Sequence, residues 1–212
     1  MPDPPAPRSV KIGSDERTGW SSERPRRAGA PPRQADVSVR ARVLRPSDRL
    51  RYSPGSLLLV VGPAASEPDR FAERVVEERG AVLSLAKVHT LLAGRVAADE
   101  IEARSRELLD AAIMKRLKAG QSVVVAIQGF DAQERERLVR LAHGERRPRH
   151  LILIETSRND VLEEERSGLD ELRRALDAGE LGSEGFETVL RLGGTGLSEL
   201  KRIVFQRPPR DD

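Results

Sequence analysis

The chain has 212 residues, 38% hydrophobic and 33% charged, which is enough for one ordinary domain with room for a tail. Its 37 basic and 34 acidic side chains leave a net charge of only +3, which excludes a general nucleic-acid-coating protein despite the pI near 9.7. The absence of cysteine excludes disulfides and thiolate metal sites, and the three scattered histidines predict no metal site. Since no apolar run nears the ~20 residues of a membrane helix and no signal segment is visible, we expect a soluble, cytoplasmic protein without a membrane partner.

Residues 1–36 differ in composition from the rest and are predicted to form a disordered arm. They hold seven of the 14 prolines, and their apolar residues follow no pattern that would bury a core. The arm is either a solvated tail or a docking segment for RNA, an acidic partner or a membrane surface. The residues expected to carry such docking are the only tryptophan and four arginines: Trp20, Arg24, Arg26, Arg27 and Arg33.

From residue 37 onwards, short apolar strands alternate with amphipathic helices. Period-two alternation predicts a half-exposed strand over 37–44, and prolines with glycine predict a connection over 45–55. Five core strands are predicted at 57–61, 81–85, 123–127, 151–154 and 188–192. Helices are predicted at 69–79, 99–119, 131–142, 160–178 (broken near Gly168) and 197–205. This alternation predicts an α/β domain over 37–206 with a three-layer, parallel five-stranded sheet, followed by a tail over 207–212.

Capping signals support two of these helices. Asp99 with Glu102, and Asp131 with Glu134, have the spacing of a capping box. Gly120 suits the end of the helix that begins near Asp99.

The first core strand leads into a loop with the frame of a phosphate-binding motif. Ligands collect at the carboxyl ends of parallel strands, and strand 57–61 is followed by Gly62, a short loop and a helix. The motif G-x-x-x-x-G-K-[ST] requires a second glycine, a lysine and a hydroxyl residue where Glu67, Pro68 and Asp69 stand. Pro68 has no N–H for a phosphate, and the Asp69 carboxylate is expected to cap the helix itself. The loop therefore predicts a self-capped helix.

Residues 56–205 resemble the P-loop kinases of the polynucleotide kinase and zeta-toxin-like family. The framework features that carry the resemblance are the strand with Gly62-Pro63, Phe71-Ala72, Val82-Leu83-Ser84, Lys115-Arg116-Leu117 through Gly120, and segments 135–142 and 151–155. The resemblance implies a sheet of the P-loop NTPase type and, for an active member, ATP and Mg²⁺ as cofactors.

The catalytic positions of that family are not matched in this chain. The resemblance places the family's lysine at Pro68, its base at Ala86, and its Asp-x-x-Asn at Ala126 and Gly129. Its lid arginines have loose counterparts in Arg166, Arg173 and Arg174. The resemblance therefore implies the fold without the reaction.

Three hypotheses of function follow. The first, favoured by the combined loss of the catalytic positions, is a degenerate kinase-like protein that acts as a binding or scaffold module for a protein partner, without a cofactor. The second is an active ATP- and Mg²⁺-dependent kinase for nucleic-acid ends or small hydroxyl compounds. Its rearranged site would consist of Gly62, Ser66, Asp69 and Arg70, with the lid arginines on the phosphates and Glu155 near the metal. The third is binding of RNA or an acidic partner through the arm, aided by the basic cluster at 146–150.

Overall fold

The computed structural model of the chain describes residues 49–64 and 67–207. The predicted arm with Trp20 and its arginines, the strand predicted over 37–44, Ser66, and residues 208–212 of the predicted tail lie outside the described residues. The strands are β1 (Arg49–Tyr52), β2 (Leu57–Gly62), β3 (Val82–Ser84), β4 (Val123–Gln128), β5 (Arg149–Ile154), β6 (Thr188–Leu192) and β7 (Arg202–Phe205). The helices are α1 (Pro68–Val75), α2 (Leu85–Leu92), α3 (Ile101–Lys118), α4 (Ala132–Gly144), α5 (Glu163–Asp177) and α6 (Thr195–Glu199).

Five strands form one parallel sheet in the order β3-β4-β2-β5-β6, so the first core strand lies at its centre. All six residues of β2 are buried, because helices cover both faces of the sheet. One face packs against α3, α4 and α5, and the other packs against α1 and β7. Counted along the chain, the core order 2-3-1-4-5 differs from the Rossmann and flavodoxin-like orders. The predicted α/β class and five-stranded parallel sheet are confirmed.

A second, two-stranded sheet corrects two predictions. Strand β1 lies in the segment predicted as a connection, and α6 with β7 occupies the segment predicted as one helix over 197–205. The two strands pair in parallel, with Leu50 opposite Ile203 and Tyr52 opposite Phe205. Leu50 and Tyr52 alternate with exposed arginines and pack on the α1 side of the core, which stabilises a strand despite the nearby prolines.

Several helix bounds also differ from prediction. Helix α1 ends at Val75, short of residue 79, and α2 starts at Leu85, where a strand end was predicted. The capping box at Asp99 is wrong, because α3 begins after Glu100 and no side chain caps it. The predicted Asp131 cap is confirmed, since its carboxylate accepts a hydrogen bond from the Gln133 N–H at 2.9 Å.

The break predicted at Gly168 does not occur, because α5 runs through it without interruption. A Cβ at residue 168 would lie only 3.0 Å from the Phe130 Cβ. The glycine therefore permits close packing of the helix instead of ending it. In the described part of the chain, no helix is both long and apolar enough to cross a membrane.

Candidate functional site

A cavity of about 400 Å³ opens at the carboxyl ends of β3 and β4. Its apolar lining comes from α2, α3 and β4, through Leu85, Leu109, Val125 and Ile127. The volume lies within the range of small-molecule pockets, which combine apolar walls with a few polar groups. Three positions tied to the family resemblance lie on this one cavity: Asp69, Ala86 and Ala126. The fold thus brings together residues that are up to 57 positions apart in the sequence.

The loop before α1 has an unusual backbone. Glu67 adopts a left-handed conformation with φ 47°, which glycine adopts without strain and other residues adopt at a cost of about 1–2 kcal/mol. Pro68 is the first residue of α1, where its fixed φ fits the helix and its missing N–H breaks no hydrogen bond. The second glycine of a phosphate-binding motif would stand at the left-handed position.

The predicted self-cap of α1 by Asp69 is wrong. Because Pro68 starts the helix one residue earlier, Asp69 lies inside the first turn, and no side chain of the described residues caps this helix. One Asp69 carboxylate oxygen accepts a hydrogen bond from the Gln128 amide at 3.3 Å. The other, Oδ1, is shielded from solvent and has no hydrogen-bond partner in the described residues. The position where the motif binds magnesium therefore holds a half-buried carboxylate.

The loop's cation is paired within the loop. The Arg70 guanidinium lies 2.8 Å from the Glu67 carboxylate, and 78% of the arginine side chain is exposed. Gly62 closes the end of β2, since its carbonyl accepts a hydrogen bond from the Gly129 N–H at 2.9 Å. Of the loop residues predicted for a rearranged nucleotide site, Gly62 and Arg70 thus make contacts within the protein.

Four carboxylates and one guanidinium line the cavity. The carboxylates belong to Asp69, Glu102, Asp131 and Glu134, and the guanidinium belongs to Arg106, which pairs with Glu102 at 2.9 Å. Glu134 is paired with Arg137, so Asp69 and Asp131 leave the cavity with an excess of negative charge, which disfavours phosphate groups. Glu102 and Glu134 are not among the site residues predicted from the sequence. Their signal was their place in the first turns of two helices that begin near the carboxyl edge of the sheet.

Glu155 and one of the predicted lid arginines, Arg173, belong to an ion network outside the cavity. Glu155 follows β5, and its carboxylate pairs with Arg173 of α5 and with Arg191 of β6, the latter at 3.2 Å. Arg173 also donates a hydrogen bond to the Thr156 carbonyl at 2.6 Å. A Cβ at Gly193 would lie 2.8 Å from the Glu155 Cβ, so the strand ends pack tightly here. The predicted metal-side acid is thus engaged in an ion network that fixes α5 to the sheet.

The other two lid positions do not line the cavity. Arg166 pairs with Glu163 on the same helix, and Arg174 is exposed. Within the described ranges, no three histidine, aspartate or glutamate side chains converge to hold a metal ion. The predicted lid and metal-side groups therefore lie apart from the cavity at the ends of β3 and β4.

A comparison of the chain with models of known protein families finds no match, and a search of curated proteins finds no significant relative.

Proposed function

We propose that the chain is a catalytically degenerate protein of the P-loop kinase type that acts as a binding or scaffold module. The observation that carries this proposal is the Glu67-Pro68-Asp69 segment at the start of α1. Where a phosphate-binding loop offers backbone N–H groups and a lysine, this segment offers a proline ring and two carboxylates.

The architecture supports the kinase-like part of the proposal. A buried central strand ends at Gly62, and the loop after it opens at the middle of the carboxyl edge of the sheet. This is the place where open α/β sheets bind ligands. The left-handed backbone at Glu67 adds support, because it is the conformation that the motif's second glycine adopts without strain.

Electrostatics supports the loss of phosphotransfer. A phosphate charge about 5 Å from a carboxylate, at an effective dielectric near 20, is disfavoured by about 3 kcal/mol. Asp69 and Glu67 both stand at the loop, and Arg70 offsets only one of them. The two catalytic positions on the cavity, Ala86 and Ala126, have no group that can move a proton.

Thermal unfolding of the full chain with Mg-ATP, Mg-ADP and Mg-GTP tests this proposal. A nucleotide at a hundred times its Kd stabilises by ~2.7 kcal/mol, or roughly 5–10 °C for a domain of this size. We expect no such shift in the wild-type chain. A nucleotide-specific shift together with transfer of the γ-phosphate would overturn the proposal in favour of an active kinase.

A restored variant tests the fold type separately. The triple substitution Glu67→Gly, Pro68→Lys and Asp69→Thr recreates the motif beginning at Gly62. We expect this variant to gain a melting shift with Mg-ATP, and the matched variant Glu67→Gly, Pro68→Ala and Asp69→Thr, which lacks the lysine, to gain much less. If the restored variant folds but its melting temperature does not rise with Mg-ATP, the P-loop assignment is contradicted.

A further inference from the structure

A second concave site lies at the opposite edge of the sheet. We call it the amino-edge cleft and define it by His143, Arg146, Arg147, Arg149 and Glu187, which line a volume of about 570 Å³. It is formed where α4 ends and β5 begins. Three guanidinium groups against one carboxylate leave two positive charges in excess. This excess is larger than the half charge of opposite sign that the carboxyl end of α4 contributes.

The donors of the cleft are held in place by the protein. The Arg147 Nε donates a hydrogen bond to the Leu117 carbonyl at 3.0 Å, at the end of α3. The terminal nitrogens of Arg147 lie against Gly55 and Gly120, where an added Cβ would come within 3.2 and 3.6 Å of them. Those two nitrogens have no hydrogen-bond partner in the described chain, so a fixed guanidinium keeps its outer donors free.

His143 supplies a further donor. The Arg149 Nη1 lies 2.9 Å from the His143 Nδ1, and a guanidinium can only donate. The imidazole therefore accepts at Nδ1 and carries its proton on Nε2. Arg149 also faces Glu187, 3.5 Å away, which is the only carboxylate among the described residues that line the cleft.

Arg146 is held in a conformation that arginine disfavours. Its φ of 53° places it in the left-handed region, at the position after a helix end where glycine is the usual residue. Its N–H closes the helix by donating to the His143 carbonyl at 2.9 Å, while its exposed side chain makes no hydrogen bond or ion pair with described residues. Non-glycine residues in this region concentrate at functional sites.

We propose that the amino-edge cleft binds a phosphate group, specifically the dianion of a phosphomonoester. Guanidinium forks match phosphate oxygens in pairs, and the three arginines with the His143 Nε2–H offer more donors than the two oxygens of a carboxylate accept. A phosphomonoester carries nearly two negative charges at pH 7, which matches the charge excess of the cleft. This site is separate from the cavity and does not depend on the kinase-like proposal.

Isothermal titration calorimetry of the full chain tests the proposal. The ligands are glycerol 3-phosphate and inorganic phosphate, at low and constant ionic strength. We expect both to bind with similar Kd, and the matched neutral compound glycerol to give no heat of binding. Arg146→Gly is the decisive variant. It should weaken binding at least fivefold and, because it relieves the left-handed strain, raise the melting temperature by ~2–4 °C. If the variant binds more weakly and is also more stable than the wild type, the lost affinity comes from lost contacts and not from unfolding.

Arg104→Ala is the charge-matched control, because Arg104 lies on α3 and, within the described part of the chain, pairs only with Glu100 and Glu107. It should leave the affinity unchanged. Equal affinity in wild type and Arg146→Gly, or an equal loss in Arg104→Ala, overturns the site.

Two further measurements distinguish other ligands from a phosphomonoester. A single-stranded RNA without terminal phosphates should bind no more tightly than inorganic phosphate. Tighter RNA binding that Arg146→Gly abolishes would replace the phosphomonoester by nucleic acid. A melting shift with Mg-ATP that persists in Arg146→Gly contradicts the kinase-like proposal, whereas a shift that this variant removes belongs to the amino-edge cleft.

Discussion

The two concave sites at opposite edges of the sheet carry opposite charges. At the carboxyl edge, four carboxylates of the described residues line the cavity, and two of them are paired, with Arg106 and with Arg137. At the amino edge, the cleft has three arginines and one glutamate. The net charge of +3 conceals this polarity, because the charges of the two sites largely cancel in the sum. The arrangement of charge, and not its total, therefore decides which ligands each edge repels or attracts.

The largest expected change in stability concerns the ion network beside the carboxyl edge. Glu155→Ala would leave Arg173 and Arg191 without their shared carboxylate, in a region where these side chains are mostly shielded. We expect the free energy of unfolding to fall by about 2–3 kcal/mol, because the partly buried Arg173 keeps only a carboxylate at 4.0 Å and Arg191 keeps only an exposed one at 3.0 Å. Urea unfolding measures the change. The control Glu163→Ala removes an exposed partner of Arg166 and should change stability by less than about 0.5 kcal/mol.

The second test uses pH at the amino edge. Burial, and then the neighbouring Arg149 charge, lower the pKa of His150 to about 4. The unfolded chain, with an ordinary histidine pKa near 6.5, takes up the proton first, so stability is full above that pH and falls as the pH drops towards 4. Between pH 7.5 and 5.0 we expect a loss of about 2 kcal/mol from this group.

Chemical denaturation at the two pH values checks this loss. His150→Phe should reduce the dependence on pH by that amount, although it also removes the 2.8 Å contact with the Thr188 hydroxyl. The comparison variant is His89→Gln, which replaces an exposed histidine on the cavity at the other edge. Equal slopes in wild type and His150→Phe would contradict the prediction.

The third test compares one arginine from each edge. Arg147→Ala removes a hydrogen bond to a helix-end carbonyl and the packing over Gly55 and Gly120, so we expect a loss of about 1–2 kcal/mol. Arg70→Ala removes an exposed pair with Glu67 and should change stability by less than about 0.5 kcal/mol. Thermal unfolding of the two variants side by side measures the difference. Equal losses would mean that Arg147 is not held as the structure indicates.

The smallest expected effect concerns the left-handed residue at the carboxyl edge. Glu67→Gly should stabilise the protein by about 1 kcal/mol, because glycine adopts φ 47° without strain and the pair lost with Arg70 is exposed. Glu67→Ala keeps the strain and removes the pair, so it should be neutral or slightly destabilising. If both variants have the wild-type melting temperature, the backbone at residue 67 is not strained.

The sequence predicted the sheet well because its strands are continuous apolar runs. Strands β2, β4 and β5 are buried on both faces, so their residues need no alternation and stand out from the charged helices around them. Strand β1 was missed because its four residues are stabilised by pairing with β7, some 150 residues away. The short helix α2 was missed because its first residue continues the apolar pattern of β3, and only the Ser84 cap marks the change.

The charges of the site were predictable one by one but not as groups. Glu155 was correctly placed at a strand end, yet its pairing with Arg173 depends on how α5 crosses the sheet. The acidic lining of the cavity collects side chains from α1, α3 and α4, and no local pattern links them. The start of α1 shows the same limit, because Pro68 and Asp69 are both favourable near a helix start and only the folded loop decides between them.

The pairing of β1 with β7 has a mechanical consequence. The two strands run in the same direction, so the chain enters the pair at Arg49 and leaves it at Phe205, at opposite ends of four matched residues. A force that pulls these two points apart slides one strand along the other and loads all their hydrogen bonds at once. Strands that are peeled apart from one end break their bonds one after another and resist far less. The β1–β7 pair therefore resists a force that pulls Arg49 and Phe205 apart, because that force loads it in shear.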